Sequence, residues 1–220
     1  MITSKTSFHR LSLEPWRSIL YLISLTIVRG IIQIRLYQQG FISASADEFA
    51  RGIITSTWAQ NPRLNLLEDI QGTWLPLEKY VNGLFLLIWP DVILAPRFTV
   101  FIFSTLLLII LYNLAHELFE RFSIAVVTTF LVASLPWFVW LSGTPMLEMY
   151  YFTCFFAGLL FLAKWLKNPY TNVWIISGGC FLLASGFHVQ SWTFINLINV
   201  LLLPYLYWLI KNKKYPLPIK

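Results

Sequence analysis

Residues 81–95 read VNGLFLLIWPDVILA. The run is apolar enough to suggest a membrane span and too interrupted to make one. A spanning helix needs about 20 mostly apolar residues. Here the longest clean piece is Gly83–Trp89, Pro90 and Asp91 interrupt the apolar run after it, and Pro76, Glu78 and Lys79 precede it. Short apolar stretches of this kind belong at an interface or re-enter one leaflet. Pro76–Pro90 is therefore read as an amphipathic helix dipping into one side of a bilayer. That reading decides the side on which every later loop lies.

Six segments flanking this run are long and apolar enough to span. They are Ser18–Arg35, Arg97–Ala115, Phe122–Ser142, Met149–Leu166, Asn172–Val189 and Trp192–Ile210. The whole chain of 220 residues is 57% hydrophobic and 12% charged, with 10 Trp, 10 Tyr and 18 Phe. Soluble domains carry about 25% charged residues. A soluble monomer would expose too much apolar surface, and disorder needs the opposite composition. The expected fold is thus an all-α polytopic membrane protein. It has about six transmembrane helices, with interfacial or re-entrant helices in the first outer loop, and residues 1–220 form one multi-span domain. Arg29 interrupts the first segment and no small-residue cleavage site follows it, so a cleavable signal peptide is not expected. Cys154 and Cys180 lie inside apolar runs and read as small hydrophobes.

Charge placement gives the orientation. With the N-terminus cytoplasmic, one side collects Lys5, Arg10, Arg17, Arg121, Lys164, Lys167, Lys211, Lys213, Lys214 and Lys220. The short outer loops Gly143–Glu148 and Gln190–Ser191 carry no Lys or Arg. This matches the bias of Lys and Arg toward cytoplasmic loops and places the chain in the cell membrane as a multi-pass protein. Topology accounts for these basic residues, and no nucleic acid is expected as a partner. A spanning Val81–Ala95 would reverse the asymmetry. The acids go the other way: Asp47, Glu48, Glu68, Asp69, Glu78, Asp91 and Glu148, seven of the ten, fall outside.

Four outer stretches carry the polar chemistry. Ser45-Ala46-Asp47-Glu48 fits a capping box, with Phe49, Ile53, Ile54 and Trp58 continuing at helical spacing. Glu48 is explained by the cap, which leaves Asp47 free for other work. Gly72-Thr73-Trp74-Leu75-Pro76-Leu77-Glu78-Lys79-Tyr80 suits an interface, with Trp74 and Tyr80 as anchors. Glu148 is the only charge in its loop and sits at the membrane boundary, where an acid is a functional candidate. His188 is the only outer histidine, followed by Gln190 in the last outer turn. No CxxC or HExxH metal spacing is present, and no phosphate-cradling glycine loop.

The order of these pieces resembles the N-terminal part of a C-type glycosyltransferase of the family 39 protein mannosyltransferase type. The likeness rests on a first span, an outer Asp47-Glu48, and Trp74-Leu75-Pro76-Leu77 before a short apolar helix. It continues with Ala95-Pro96-Arg97 opening a span that closes on Leu111-Tyr112-Asn113-Leu114-Ala115. Leu141-Ser142-Gly143-Thr144 running to Glu148 comes next, and then Ala184-Ser185 with Trp192. It covers about Leu20 to Ile210. The resemblance implies transfer of a sugar from a polyprenyl-phosphate carrier to an acceptor hydroxyl on the extracytoplasmic face, with inversion at the anomeric carbon. Asp47 takes the position of the catalytic first-loop acid, Glu48 that of its acidic neighbour and Glu148 that of the second-loop acid. His188 and Gln190 stand where relatives often carry Arg and Glu, and Glu78 where many carry a histidine. Glu48 and Glu148 are expected to orient the acceptor or to hold a divalent ion. Arg29 and Arg35 are expected to clamp the carrier phosphate or to snorkel to headgroups, with Arg97 as a third candidate. Glu78 and Lys79 complete the substrate-binding set. The expected partners are the bilayer, the polyprenyl-phosphate sugar and an unspecified acceptor. Relatives run to more than twice this length, so a further C-terminal part or a partner subunit is also expected. Two other readings are a non-catalytic membrane subunit or degenerate enzyme, and a lipid-linked sugar flippase. A flippase would carry charge at mid-membrane depth, where only Asn196 and Asn199 in the last span are prominently polar.

Overall fold

The computed structural model describes residues 14–41, 45–65, 75–169 and 172–211. Within these every regular element is a helix. Lys5, Arg10, Glu68, Asp69, Gly72, Thr73, Trp74, Lys213, Lys214 and Lys220 lie outside the described residues. The helices are α1 Glu14–Gln38, α2 Ala46–Gln60, α3 Leu77–Ile88, α4 Leu94–Phe119, α5 Phe122–Ser134, α6 Pro136–Leu141, α7 Glu148–Lys167, α8 Val173–Phe187 and α9 Gln190–Lys211.

Three helices are long and apolar enough to cross a membrane, covering Pro15–Gln38, Leu94–Phe119 and Glu148–Lys167. The segment expected as one span, Phe122–Ser142, is broken. Pro136 has no N–H to donate, and its ring pushes the preceding residue out of helical geometry. Leu135 duly adopts φ −65, ψ 128, which ends α5 at 13 residues and opens the six-residue α6. The fifth expected span is the 15-residue α8. The sixth is the 22-residue α9, with Pro204 inside it. The run at 81–95 splits into the 12-residue α3 and the start of α4. At about 1.5 Å per residue, α3 is some 18 Å long, well short of a hydrocarbon core.

The core is built on α7, which packs between α4 and α8. Val100, Leu141, Met149 and Tyr150 are its most deeply buried large side chains. Small residues let the helices approach, as is usual in membrane bundles. Ser177 of α8 donates to the Gly158 carbonyl of α7 at 2.8 Å, and Thr153 of α7 donates to the Phe103 carbonyl of α4 at 2.8 Å.

The first helix is held differently. Its outer face, with Leu20, Ile23, Ile27 and Ile31, is exposed. Polar side chains attach its inner face: Ser18 to the Tyr112 hydroxyl at 2.6 Å, Tyr21 to Thr129 at 2.8 Å, and Gln33 to the Val139 carbonyl at 2.7 Å. Arg29 joins these ties. In place of the expected phosphate clamp or snorkelling, its side chain turns inward and is 5% exposed. It donates to Thr105 at 3.0 Å and to Ser104 at 2.6 Å. Its guanidinium lies 5.2 Å from the ring centres of both Phe101 and Phe138.

The helix ends sort into two groups. The C-terminus of α1, the elements α2 and α3, the α6–α7 turn and the α8–α9 turn lie at one end. The other end carries Arg17, Arg121, Lys164 and Lys167, with Lys167 bridging Glu117 and Glu120.

Candidate functional site at the carboxylate end

The site begins at the N-terminus of α2. Ser45, in extended geometry, caps the helix by accepting the Glu48 N–H at 3.2 Å. A capped first turn sends consecutive side chains about 100° apart. Asp47 therefore points to solvent while Glu48 turns inward, to 4% exposure. The Glu48 carboxylate pairs with Arg97 on the first turn of α4. Asp91 fixes the start of that helix by accepting the N–H groups of Ile93 at 2.9 Å and Leu94 at 2.8 Å. Arg97 also donates to the Ile93 carbonyl at 3.3 Å, and its Nε–H is buried with no acceptor.

One turn further along α2, Arg51 donates to Glu78 of α3 at 3.3 Å, with both side chains buried. The other Glu78 oxygen accepts from the Asn82 amide one turn on. The Asn82 carbonyl in turn accepts the Tyr150 hydroxyl at 2.6 Å. Burial pushes the Glu78 carboxyl above the usual carboxylate range, against the pull of Arg51 and Asn82. Beside it Lys79 is buried as well, its ammonium 5.4 Å from the Tyr80 ring centre.

Glu148 opens α7 one position before Met149 and two before Tyr150. Its Oε2 is buried without a hydrogen-bond partner, and its charge acts on both Glu78 and His188. His188 ends α8, 5.6 Å ring to ring from Tyr151. Its Nδ1 accepts the Gln190 N–H at 3.0 Å, which leaves the proton on Nε2 in the neutral ring. Burial lowers the imidazole pKa below its ordinary value, Glu148 opposes this, and Arg51 adds to it.

Next to Arg97 lies an open cavity of about 450 Å³ between α1 and α4, flanked by the α6–α7 turn. Its walls are apolar and aromatic, with Tyr37, Trp89, Phe98 and Phe101, and Gln33 and Arg97 supply the polar groups. Gln33 is locked there by the Val139 carbonyl and by Ser142 at 2.9 Å. A Cβ on Gly143 would strike its amide, so a larger residue in this turn would displace the Gln33 side chain.

Of the residues singled out in the sequence, Glu48, Glu78, Arg97, Glu148 and His188 come together through these contacts, with Lys79 beside Glu78. Asp47 flanks them on the exposed side of α2, Gln190 is an exposed neighbour of His188, and Arg35 is exposed on the last turn of α1. Arg29 lies within the first span, bound to α4. Among the described residues no three His, Cys, Asp or Glu side chains are grouped to hold a metal ion. Of the two acids expected to hold a divalent ion, Glu48 is engaged by Arg97, whereas Glu148 Oε2 has no hydrogen-bond partner.

Sequence reasoning missed Arg51, Asn82 and Tyr150. Two signals were available. Arg51 follows Glu48 by three positions, on the same face of α2, and Asn82 follows Glu78 by four, the spacing at which helical side chains meet. Tyr150 had none, because one more aromatic in an aromatic-rich span is indistinguishable from packing.

No family model, no curated protein and no solved structure matches the chain.

Proposed function

We propose that the chain is a membrane glycosyltransferase that moves a sugar from a polyprenyl-phosphate carrier to an acceptor hydroxyl on the extracytoplasmic face. The observation that supports this reading is one juxtaposition. Carboxylates from three separate stretches, α2, α3 and the start of α7, converge with Arg51, Arg97 and His188 beside an apolar cavity. The cavity suits an isoprenoid tail, and the Arg97 guanidinium that lines it suits a phosphate.

In this reading Asp47 is the general base. Its exposed carboxylate accepts the proton of the incoming hydroxyl, whose oxygen attacks the anomeric carbon. The bond from that carbon to the phosphate oxygen breaks, and the phosphate departs with the electron pair. Phosphate leaves readily, so the protein's main task is base catalysis and orientation, the latter by Glu48 and Glu148. Asp47→Asn is expected to lower transfer from a polyprenyl-phosphate sugar by about 10²–10⁴-fold without altering membrane insertion. Wild-type turnover by this variant would remove Asp47 from the mechanism.

Arg29 supports a second reading. A buried cation inside a span marks transport pathways as readily as catalytic ones. Flux of lipid-linked sugar across proteoliposomes, with no product on any acceptor, would favour a flippase.

A further inference from the structure

We propose that the buried chain Arg51–Glu78–Asn82–Tyr150 is a positioning device that holds α2, the carrier of Asp47 and Glu48, in register with the start of α7, the carrier of Glu148. Its catalytic consequence rests on the glycosyl-transfer reading, whereas its geometric consequence does not.

All four side chains are buried, Arg51 at 5%, Glu78 at 3%, Asn82 at 1% and Tyr150 at 0% exposure. The donors converge on the Glu78 carboxylate from both ends. The Tyr150 O–H gives to the Asn82 carbonyl, the Asn82 amide gives to one Glu78 oxygen, and the Arg51 guanidinium gives to the other. This order fixes the Asn82 amide orientation and occupies both carboxylate oxygens. The Tyr150 end is packed in the core, where its ring stacks on Phe187 at 5.4 Å and meets Phe103 at 4.6 Å. The chain is thus anchored in the core and ends on an outer helix.

That outer helix needs such an anchor. The principal packing partner of α2 is α3, and α3 reaches the body through α4 and α8. The apolar contact between α2 and α3 is made near the C-terminal end of α2, where Trp58 packs on Tyr80 and Gly83, and it lies about two to three turns from Asp47 and Glu48. A slip of one residue turns a helix by about 100° and would exchange the places of Asp47 and Glu48. Buried hydrogen bonds favour one arrangement, whereas hydrophobic groups of similar volume pack as stably and specify less. Here both Glu78 oxygens and both ends of the Asn82 amide are engaged, and of the Arg51 donors Nε alone is buried without an acceptor. The ion pair between Glu48 and Arg97 ties the first turn of α2 to α4, and Arg51 ties the next turn to α3. Two ties a turn apart define a rotation as well as a distance.

The test uses the full chain in nanodiscs and two variants that keep side-chain volume, Tyr150→Phe and Glu78→Gln. Tyr21→Phe, which removes a hydroxyl tie between α1 and α5, is the control. Backbone hydrogen exchange is read helix by helix, with sugar transfer measured in parallel. Both variants are expected to exchange the α2 amides about tenfold faster, with α5 and α8 unchanged, and the control is expected to leave α2 at wild-type rates. For transfer by Tyr150→Phe, whose side chain lies outside the expected substrate-binding set, kcat is expected to fall about tenfold with KM within about twofold, the split expected when orientation and not binding is lost. Wild-type exchange of α2 in both variants, or a uniform rise in every helix, would overturn the proposal. So would unchanged kcat in a variant whose α2 has loosened. A wild-type chain that transfers no sugar refutes the glycosyltransferase reading instead, and the exchange data then decide the positioning claim alone.

Discussion

Arg29 and His188 show how the same side-chain chemistry has different consequences at different depths. Arg29 is enclosed by two phenyl rings and two hydroxyls, and no carboxylate pairs with it among the described residues. Ser104 and Thr105 each also donate to the Phe101 carbonyl, at 3.0 and 2.8 Å, so neither hydroxyl is stranded if the guanidinium goes. Replacing a buried charge by an apolar group of similar length is often neutral or stabilising. Arg29→Met is therefore expected to keep stability within about 1 kcal/mol of wild type, read from unfolding in detergent. A larger loss would mean that α1 depends on the charge itself. His188 sits at the wet end and titrates. Burial lowers its folded pKa below the ordinary 6.5, so below that value the unfolded chain binds the extra proton and the folded chain resists it. The contribution is present above pH 6.5 and is lost as pH falls through the folded value. The unfolding midpoint should drop on acidification below about pH 6.5, and His188→Gln should flatten that slope. An equal slope in the variant would assign it to another group.

Among elements, the glycines discriminate tight from open packing. A Cβ on Gly83 of α3 would overlap the Trp58 ring of α2, whereas a Cβ on Gly52 of α2 would meet nothing within 4 Å. Gly83→Ala is expected to cost about 1–3 kcal/mol by prising α2 from α3. Gly52→Ala is expected to stabilise α2 by about 0.5–1 kcal/mol, since only its helix propensity changes. Thermal unfolding of the pair, with opposite signs expected, checks both. How much of the fold was legible differs in the same way from element to element. The separate short helix α3 could be read from Pro76, Pro90 and Asp91, because backbone breakers act locally. The break at Leu135–Pro136 was just as local, but the apolar run across it is long enough to span and masked the proline. For Arg29, an apolar sequence does not reveal which face of α1 turns inward, so its burial was invisible. At the candidate site the sequence named Glu48, Glu78, Arg97, Glu148 and His188, which the structure brings together. It took Glu48 for a capping residue, because a capping box and a buried ion pair leave the same letters at the same spacing. Neither the inward turn of Glu48 nor the link to Tyr150 could be read, because both depend on which helices touch.

For the chain as a whole, everything turns on whether it crosses the bilayer between Gln60 and α4. If α3 stays on one side, Gln60 at the end of α2 and Gln190 at the start of α9 share a compartment, and Arg121 between α4 and α5 lies in the other. If α3 crosses, Gln60 and Gln190 are separated. All three side chains are exposed, so each can carry a reporter thiol without disturbing the core. In a background of Cys154→Ala and Cys180→Ala, single cysteines at 60, 121 and 190 are to be labelled in intact cells with a membrane-impermeant maleimide. Gln60→Cys and Gln190→Cys are expected to label, and Arg121→Cys only after permeabilisation. The reverse pattern would keep the fold and invert its orientation, placing Asp47, Glu48 and Glu148 on the cytoplasmic side, where Lys and Arg should be enriched and are not. Opposite behaviour of 60 and 190 would disperse the carboxylates across the membrane. No transfer chemistry needing their convergence would survive that result, however well the individual residues matched it.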